Sequence, residues 1–293
     1  MLKIEHLTKK YGEKKAVDDL SLQIKPGEIY GFIGHNGAGK TTTLKSCCGI
    51  LQFESGDIFI DGISVKENPI GCKRKLAYIP DNPDLYEFMT GIQYLNFVAD
   101  IFGVGAADRK YRIRRYADAF ELTADLAQPI SAYSHGMKQK LAIISALIHQ
   151  PKLIIMDEPF VGLDPKASHL LKSIMRDLCG KGSAIFFSTH VLEVAEKLCD
   201  KVAIIKGGKL VRSGTMEEVK GDTSLEDVFL ELREKDDKST IQTANDGGFL
   251  LAVSGEKDGK APQCKRSCRH GSFVSAPVWL SWSDLWGCRQ CAL

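Results

Sequence analysis

Residues 34–41 read GHNGAGKT, a gapless match to G-x-x-x-x-G-K-[ST]. The strand-like run EIYGFIG (28–34) leads into it, and KTTTLKSCCGI continues as a helix. Glycines let such a turn curl until successive N–H groups point inward at a phosphate chain, and the helix N-terminus adds partial positive charge there. Lys40 is placed to reach the β and γ phosphates, and the Thr41 hydroxyl to ligate Mg²⁺. Gly34, His35, Asn36, Gly37, Ala38, Gly39 and Thr42 make up the rest of the expected binding turn.

A phosphate loop of this kind needs a carboxylate strand for its metal. KLIIMDEP (152–159) is nearly all apolar, as a strand buried on both faces must be, and ends on Asp157. Asp157 is expected to hold Mg²⁺ through water, and Glu158 to orient or deprotonate an attacking water beside the γ-phosphate. Next comes FVGLDP (160–165), where Asp164 precedes a helix-starting proline. FFSTH (186–190) ends a strand on His190, a hydrogen-bond donor for the γ-phosphate. Near the N-terminus, Tyr11 before Gly12 offers an aromatic face for a base.

The stretch AYSHGMKQKL (132–141) reads as a helix start. Ser134 caps orphan amides, and Met137, Leu141, Ile144 and Ile148 follow at helical spacing. Gly136 gains nothing from helix propensity, so it asks for another reason.

Strand-like and helix-like runs alternate up to about residue 234, the pattern of an α/β domain around a mainly parallel sheet. Residues 84–150 are mostly helical and form an inserted lobe. The 293 residues allow one large domain or two moderate ones. Lysine plus arginine (39) nearly balances aspartate plus glutamate (37), so charge gives no reason to expect nucleic acid. The N-terminus lacks an apolar signal region, and runs such as LAIISALI (141–148) are too short to span a bilayer. Cys47, Cys48, Cys72, Cys179 and Cys199 read as small buried hydrophobes. Residues 235–293 change character and read as a divergent, poorly ordered extension. Cys264, Cys268, His270, Cys288 and Cys291 there have zinc-compatible spacings, but no helix or strand pattern frames them.

The order of these motifs resembles the ATP-binding subunit of ABC transporters over about residues 2–234. The resemblance implies a P-loop NTPase core, an N-terminal antiparallel β subdomain and an inserted helical subdomain. It implies ATP hydrolysis with Mg²⁺ in a head-to-tail pair with a second copy or a paralogous subunit. Ser134 and Gly136 of one copy would then face the γ-phosphate held by the other. The same resemblance implies a separate transmembrane permease as partner and a peripheral position on the cytoplasmic face of the membrane. Two departures stand out. Tyr133-Ser134-His135-Gly136-Met137 replaces the usual Leu-Ser-Gly-Gly-Gln, and Asp81 in YIPDNP stands where glutamine is usual, which makes it a candidate metal contact. SLEDVFLEL (224–232) resembles the end of exporter-type subunits. A soluble regulatory or DNA-repair clamp is the alternative, although this chain has one cassette and no sustained heptad. A P-loop kinase leaves Glu158, Ser134–Gly136 and His190 unexplained together.

Overall fold

The computed structural model describes residues 1–221 and 223–230. The elements run β1 (Leu2–Tyr11), β2 (Lys14–Ile24), β3 (Ile29–Ile33), α1 (Lys40–Cys47), β4 (Ser55–Ile60), β5 (Ile63–Ser64), α2 (Pro69–Lys73) and β6 (Leu76–Ile79). The inserted lobe follows as α3 (Gly91–Ile101), α4 (Ala106–Ala119) and α5 (His135–Ile148). The chain then alternates through β7 (Leu153–Asp157), α6 (Pro165–Gly180), β8 (Ala184–Thr189), α7 (Leu192–Leu198), β9 (Lys201–Lys206), β10 (Lys209–Thr215) and α8 (Met216–Lys220). Residues 225–230 are helical (α9).

Two sheets result. β2-β1-β4-β5 is antiparallel, and β10-β9-β3-β8-β7-β6 is parallel except for β10, which returns from β9 through Gly207-Gly208. The expected α/β class, with its mainly parallel sheet, antiparallel N-terminal subdomain and helical insertion, is the fold observed. The period-two alternation of strand side chains explains how the six-stranded sheet carries two cores. Tyr30 and Phe32 of β3, with Phe186 of β8 and Ile155 of β7, join Leu2, Ile4, Ile58 and Ile60 of the antiparallel sheet and Leu44 of α1. Ile29, Ile33, Phe187, Ile154 and Met156 point to the other face, against α5, α6 and α7. Each fully buried Phe, Leu or Ile contributes about 1.5–3 kcal/mol over an exposed one, so the sheet is pinned from both sides.

Three neighbouring strands fix the site. β8 pairs in parallel with β3 on one side and β7 on the other, with Ile33 opposite Thr189 and Asp157 opposite Ser188. Their C-terminal ends therefore open on one edge, where ligands of open α/β sheets bind. The helices beside that edge are capped as the sequence indicates. The Ser134 hydroxyl accepts from Met137 N (3.3 Å), and the Asp164 carboxylate from Ala167 N (2.8 Å).

Cys47, Cys48, Cys72, Cys179 and Cys199 are free and buried, as the sequence reading expects. Among the described residues no helix is long and apolar enough to cross a membrane. Cys264, Cys268, His270, Cys288 and Cys291 lie outside the described residues.

Candidate functional site

The turn between β3 and α1 forms the floor of the site. Gly39 has φ 107°, and a Cβ there would meet the Ala16 carbonyl oxygen at 2.3 Å, so only glycine brings the loop this close to the neighbouring backbone. His35, Asn36 and Gly37 are exposed at the crest, while Ala38 and Lys40 are buried. The Lys40 ammonium donates to the carbonyls of Gly34 (2.7 Å) and His35 (3.3 Å), and its nitrogen lies 3.6 Å from Glu158 Oε1. A buried ammonium held by loop carbonyls and a carboxylate is poised to exchange them for phosphate oxygens. Thr42, two residues after Lys40, sits partway along the first turn of α1 with its carbonyl accepting from Ser46 Oγ (2.9 Å).

Asp157 ends β7 with one per cent of its surface exposed. Its Oδ2 accepts from the Thr41 hydroxyl at 2.6 Å, and its Oδ1 from the Ser188 hydroxyl at 2.5 Å. Ser188 Oγ also accepts from Glu158 N at 3.0 Å. Ser188 thus ties the two carboxylate residues to β8. Sequence reasoning passed over it, because a serine inside FFSTH has no signal apart from its strand partner.

Glu158 is held in the left-handed region at φ 46°, a costly conformation for a residue with a side chain. Its Oε2 lies 3.0 Å from His190 Nδ1 and accepts from His190 N at 3.3 Å. Its Oε1 is buried and has no hydrogen-bond partner in the structure. An unsatisfied carboxylate oxygen beside a buried ammonium is an acceptor waiting for a proton donor such as water. Lys40, Thr41, Asp157, Glu158 and His190 therefore meet at one strand edge.

Other expected site residues stand apart. Tyr11 ends β1, half exposed, with Lys9 Nζ 5.4 Å from its ring centroid. Asp81 is exposed beyond β6, where its carboxylate accepts from Asn82 N (2.8 Å). Three residues earlier the Tyr78 hydroxyl is buried and has no partner, and burial followed by the charge of Asp157 pushes its ionisation well up. Tyr78 thus stays a neutral donor near Asp157, another residue the sequence reading missed. Among the described residues no group of three or more His, Cys, Asp or Glu is arranged to hold a metal. Mg²⁺ fits this site only as it usually does, with few protein ligands and phosphate oxygens completing its shell. Thr41 and Asp157 are the residues whose oxygens suit it.

Ser134 is the N-cap of α5 and Gly136 lies in its first turn, and the Ser134 hydroxyl bonds to Met137 N rather than to a residue of that strand edge. Gly136 has a reason within its own chain: a Cβ there would lie 2.7 Å from the Gly162 carbonyl oxygen. The GLDP loop and the start of α5 are therefore in close backbone contact, strengthened by Lys140 Nζ to Asp164 Oδ2 at 2.7 Å. That ion pair, with the Ala167 amide, holds the Asp164 carboxyl below its usual range. Tyr133 is accommodated behind the corner, its hydroxyl donating to the Asp125 carbonyl (2.7 Å) across Gly91, where a Cβ would come within 2.3 Å of it.

Fold, phosphate loop and carboxylate strand together define a P-loop ATPase of the cassette type. Residues 17–161 match the ABC transporter family. The ABC-type transporter ATP-binding protein EcsA of Bacillus subtilis is 34% identical over 241 residues, covering 80% of this chain and 98% of EcsA. The linearmycin resistance ATP-binding protein LnrL of the same organism is 34% identical over 215 residues, covering 73% of this chain and 69% of its own. A solved ATP-binding subunit of an ABC transporter superposes with a TM-score of 0.77 at 34% identity, over 80% of this chain and 99% of that one. The chain belongs to the ABC transporter ATP-binding family, and its activity is ATP hydrolysis.

Proposed function

We propose that two cassettes pair head to tail and hydrolyse Mg·ATP to power a separate transmembrane permease, with the protein bound peripherally at the cytoplasmic face of the membrane. The observation that carries the reading is the Lys40–Glu158–His190 grouping beside the Thr41–Asp157 hydrogen bond. Residues 34–42 cradle the phosphates, and Lys40 exchanges its carbonyl partners for β and γ oxygens. Thr41 and Asp157 would hold Mg²⁺, with Asp81 a further candidate contact, and the ion would supply charge neutralisation among the phosphates. Glu158 uses its unsatisfied oxygen to accept a proton from the attacking water. His190 orients that carboxylate from its other oxygen and donates toward the γ-phosphate. Tyr11 lies under the base.

Ser134 and Gly136 serve the partner's nucleotide. The exposed Ser134 hydroxyl and the N-terminus of α5, set by the Gly162 contact, form a ready anion-binding corner. Export is the direction favoured by SLEDVFLEL and by a relative named for linearmycin resistance.

Glu158→Gln with ATP is the test. ATP binding should persist, turnover should fall by at least about a hundredfold, and light scattering should find a stable dimer. A chain that stays monomeric, or keeps turning over, overturns the reading.

A further inference from the structure

Phe229 of α9 packs its ring against the imidazole of His35 in the phosphate loop, with centroids 4.6 Å apart and planes at 47°. The two residues are far apart in sequence, and the helix that brings them together is firmly seated. Leu225 and Val228 are buried in the core beneath the parallel sheet, and Phe229 is partly buried beside them. Its start is a reciprocal cap, with Ser224 Oγ accepting from Asp227 N (3.1 Å) while Asp227 Oδ2 accepts from Ser224 N (3.1 Å) and from Ser224 Oγ (2.6 Å).

The crest of the loop needs such support. Its base is held by backbone, since the Ala38 carbonyl accepts from Gly208 N at 3.0 Å. Residues 35–37 are exposed, and nothing lies within 4 Å of where a Cβ on Gly37 would sit. The His35 carbonyl is the joint of the crest, accepting from Ala38 N (3.1 Å) and from the Lys40 ammonium (3.3 Å). A ring pressed on His35 therefore bears on the residue whose carbonyl parks the phosphate-binding lysine.

We propose that Phe229 is a positioning residue for ATP, holding His35 so that the loop is preformed for the phosphates. The inference rests on the nucleotide-site reading above and extends it to an element outside the site. An aromatic pair of this geometry sets the scale at about three- to tenfold in affinity.

The test measures ATP dissociation constants and steady-state kinetics on the full chain. Phe229→Ala should raise both Kd and KM by about three- to tenfold while kcat changes less than about twofold. Phe229→Leu keeps the apolar packing and loses the ring, so it should behave like Phe229→Ala and replaces it if the alanine variant does not fold. Phe229→Tyr should restore affinity. His35→Ala should weaken binding equally, and the double variant should be no worse than either single one. Wild-type affinity in Phe229→Ala or Phe229→Leu, or additive losses in the double variant, overturns the proposal. Lys40→Ala separates the two levels. If it loses ATP while the Phe229 variants keep it, only the role of Phe229 falls, and if it binds as well as wild type, the nucleotide-site reading falls first.

Discussion

The Thr41 hydroxyl and the Asp157 carboxylate meet at 2.6 Å across the first turn of α1 and the end of β7, while the other Asp157 oxygen is taken by Ser188. Both oxygens of a buried carboxylate are thus engaged by neutral hydroxyls. The Thr41 bond points from the residue type that ligates Mg²⁺ to the residue type that holds its water shell.

Asp157→Asn keeps the size of the side chain, turns one of its two acceptor oxygens into an amide donor that the Thr41 or Ser188 hydroxyl can accept by rotating, and removes its charge. ATP binding without Mg²⁺ should change by less than about threefold, since Lys40 and the loop amides remain. The Mg²⁺ concentration for half-maximal turnover should rise by about tenfold or more, with a large fall in kcat. A Mg²⁺ titration of ATPase activity checks this, and an unshifted titration removes Asp157 from the metal site.

Complementary action of two copies makes a quantitative prediction. Lys40→Ala damages the loop half of a composite site, and Ser134→Ala the helix half. Each variant alone should be nearly inactive. Random mixing should make half of the dimers mixed, each with one intact site and one doubly damaged, so activity per chain should recover to about a quarter of wild type. A mixture no more active than its components goes against sites built from two chains.

Surface aromatics on the inserted lobe predict where a membrane partner docks. Tyr86 packs at a tilt against Phe88, with ring centroids 5.8 Å apart; Phe88 is 84% exposed, and Tyr86 also contacts Tyr94 and Phe97. Glu87 between them is ion-paired to Lys138 in the first turn of α5. Phe88→Ala should leave the ATPase activity of the isolated protein within about twofold while lowering its recovery with membranes. A photo-crosslinker at residue 88 should label an integral membrane protein. Labelling only from the opposite face of the cassette would put the docking surface elsewhere.

Much of this architecture is legible in the sequence because the chemistry dictates it locally. GHNGAGKT, MDEP and STH mark strand ends, and the buried strands announce themselves as apolar runs. β1 is harder to see, because a bulge at His6 (φ 52°) shifts its inward residues from Leu2 and Ile4 to Leu7 and breaks the period of two. Ser188 and Tyr78 were not legible, since each gains its meaning from a carboxylate on a neighbouring strand. Gly136 was half legible. Its unsuitability for a helix could be read, but the Gly162 carbonyl that excludes a side chain belongs to a loop far along the chain.

His149 predicts an acid limit to the stability of the lobe. It follows α5, stacks on Phe102 at 3.7 Å between centroids, and its Nε2 lies 3.3 Å from the Leu76 carbonyl of β6. Its Nδ1 is buried without a partner. Burial pushes its pKa down to about 4, with Arg112 acting in the same direction against the Leu76 bond. A histidine that is harder to protonate when folded than when unfolded binds fewer protons in the native state between its two pKa values. Its contribution is therefore complete above about pH 6.5 and is lost as pH falls toward 4. The loss from this one residue should be on the order of 2 kcal/mol. Urea melts of wild type and His149→Gln at pH 7 and pH 5 check it. The variant should be less stable at pH 7, because glutamine cannot reproduce the stacked ring, yet lose less stability between the two pH values. Equal losses in both proteins would assign the acid sensitivity to other groups.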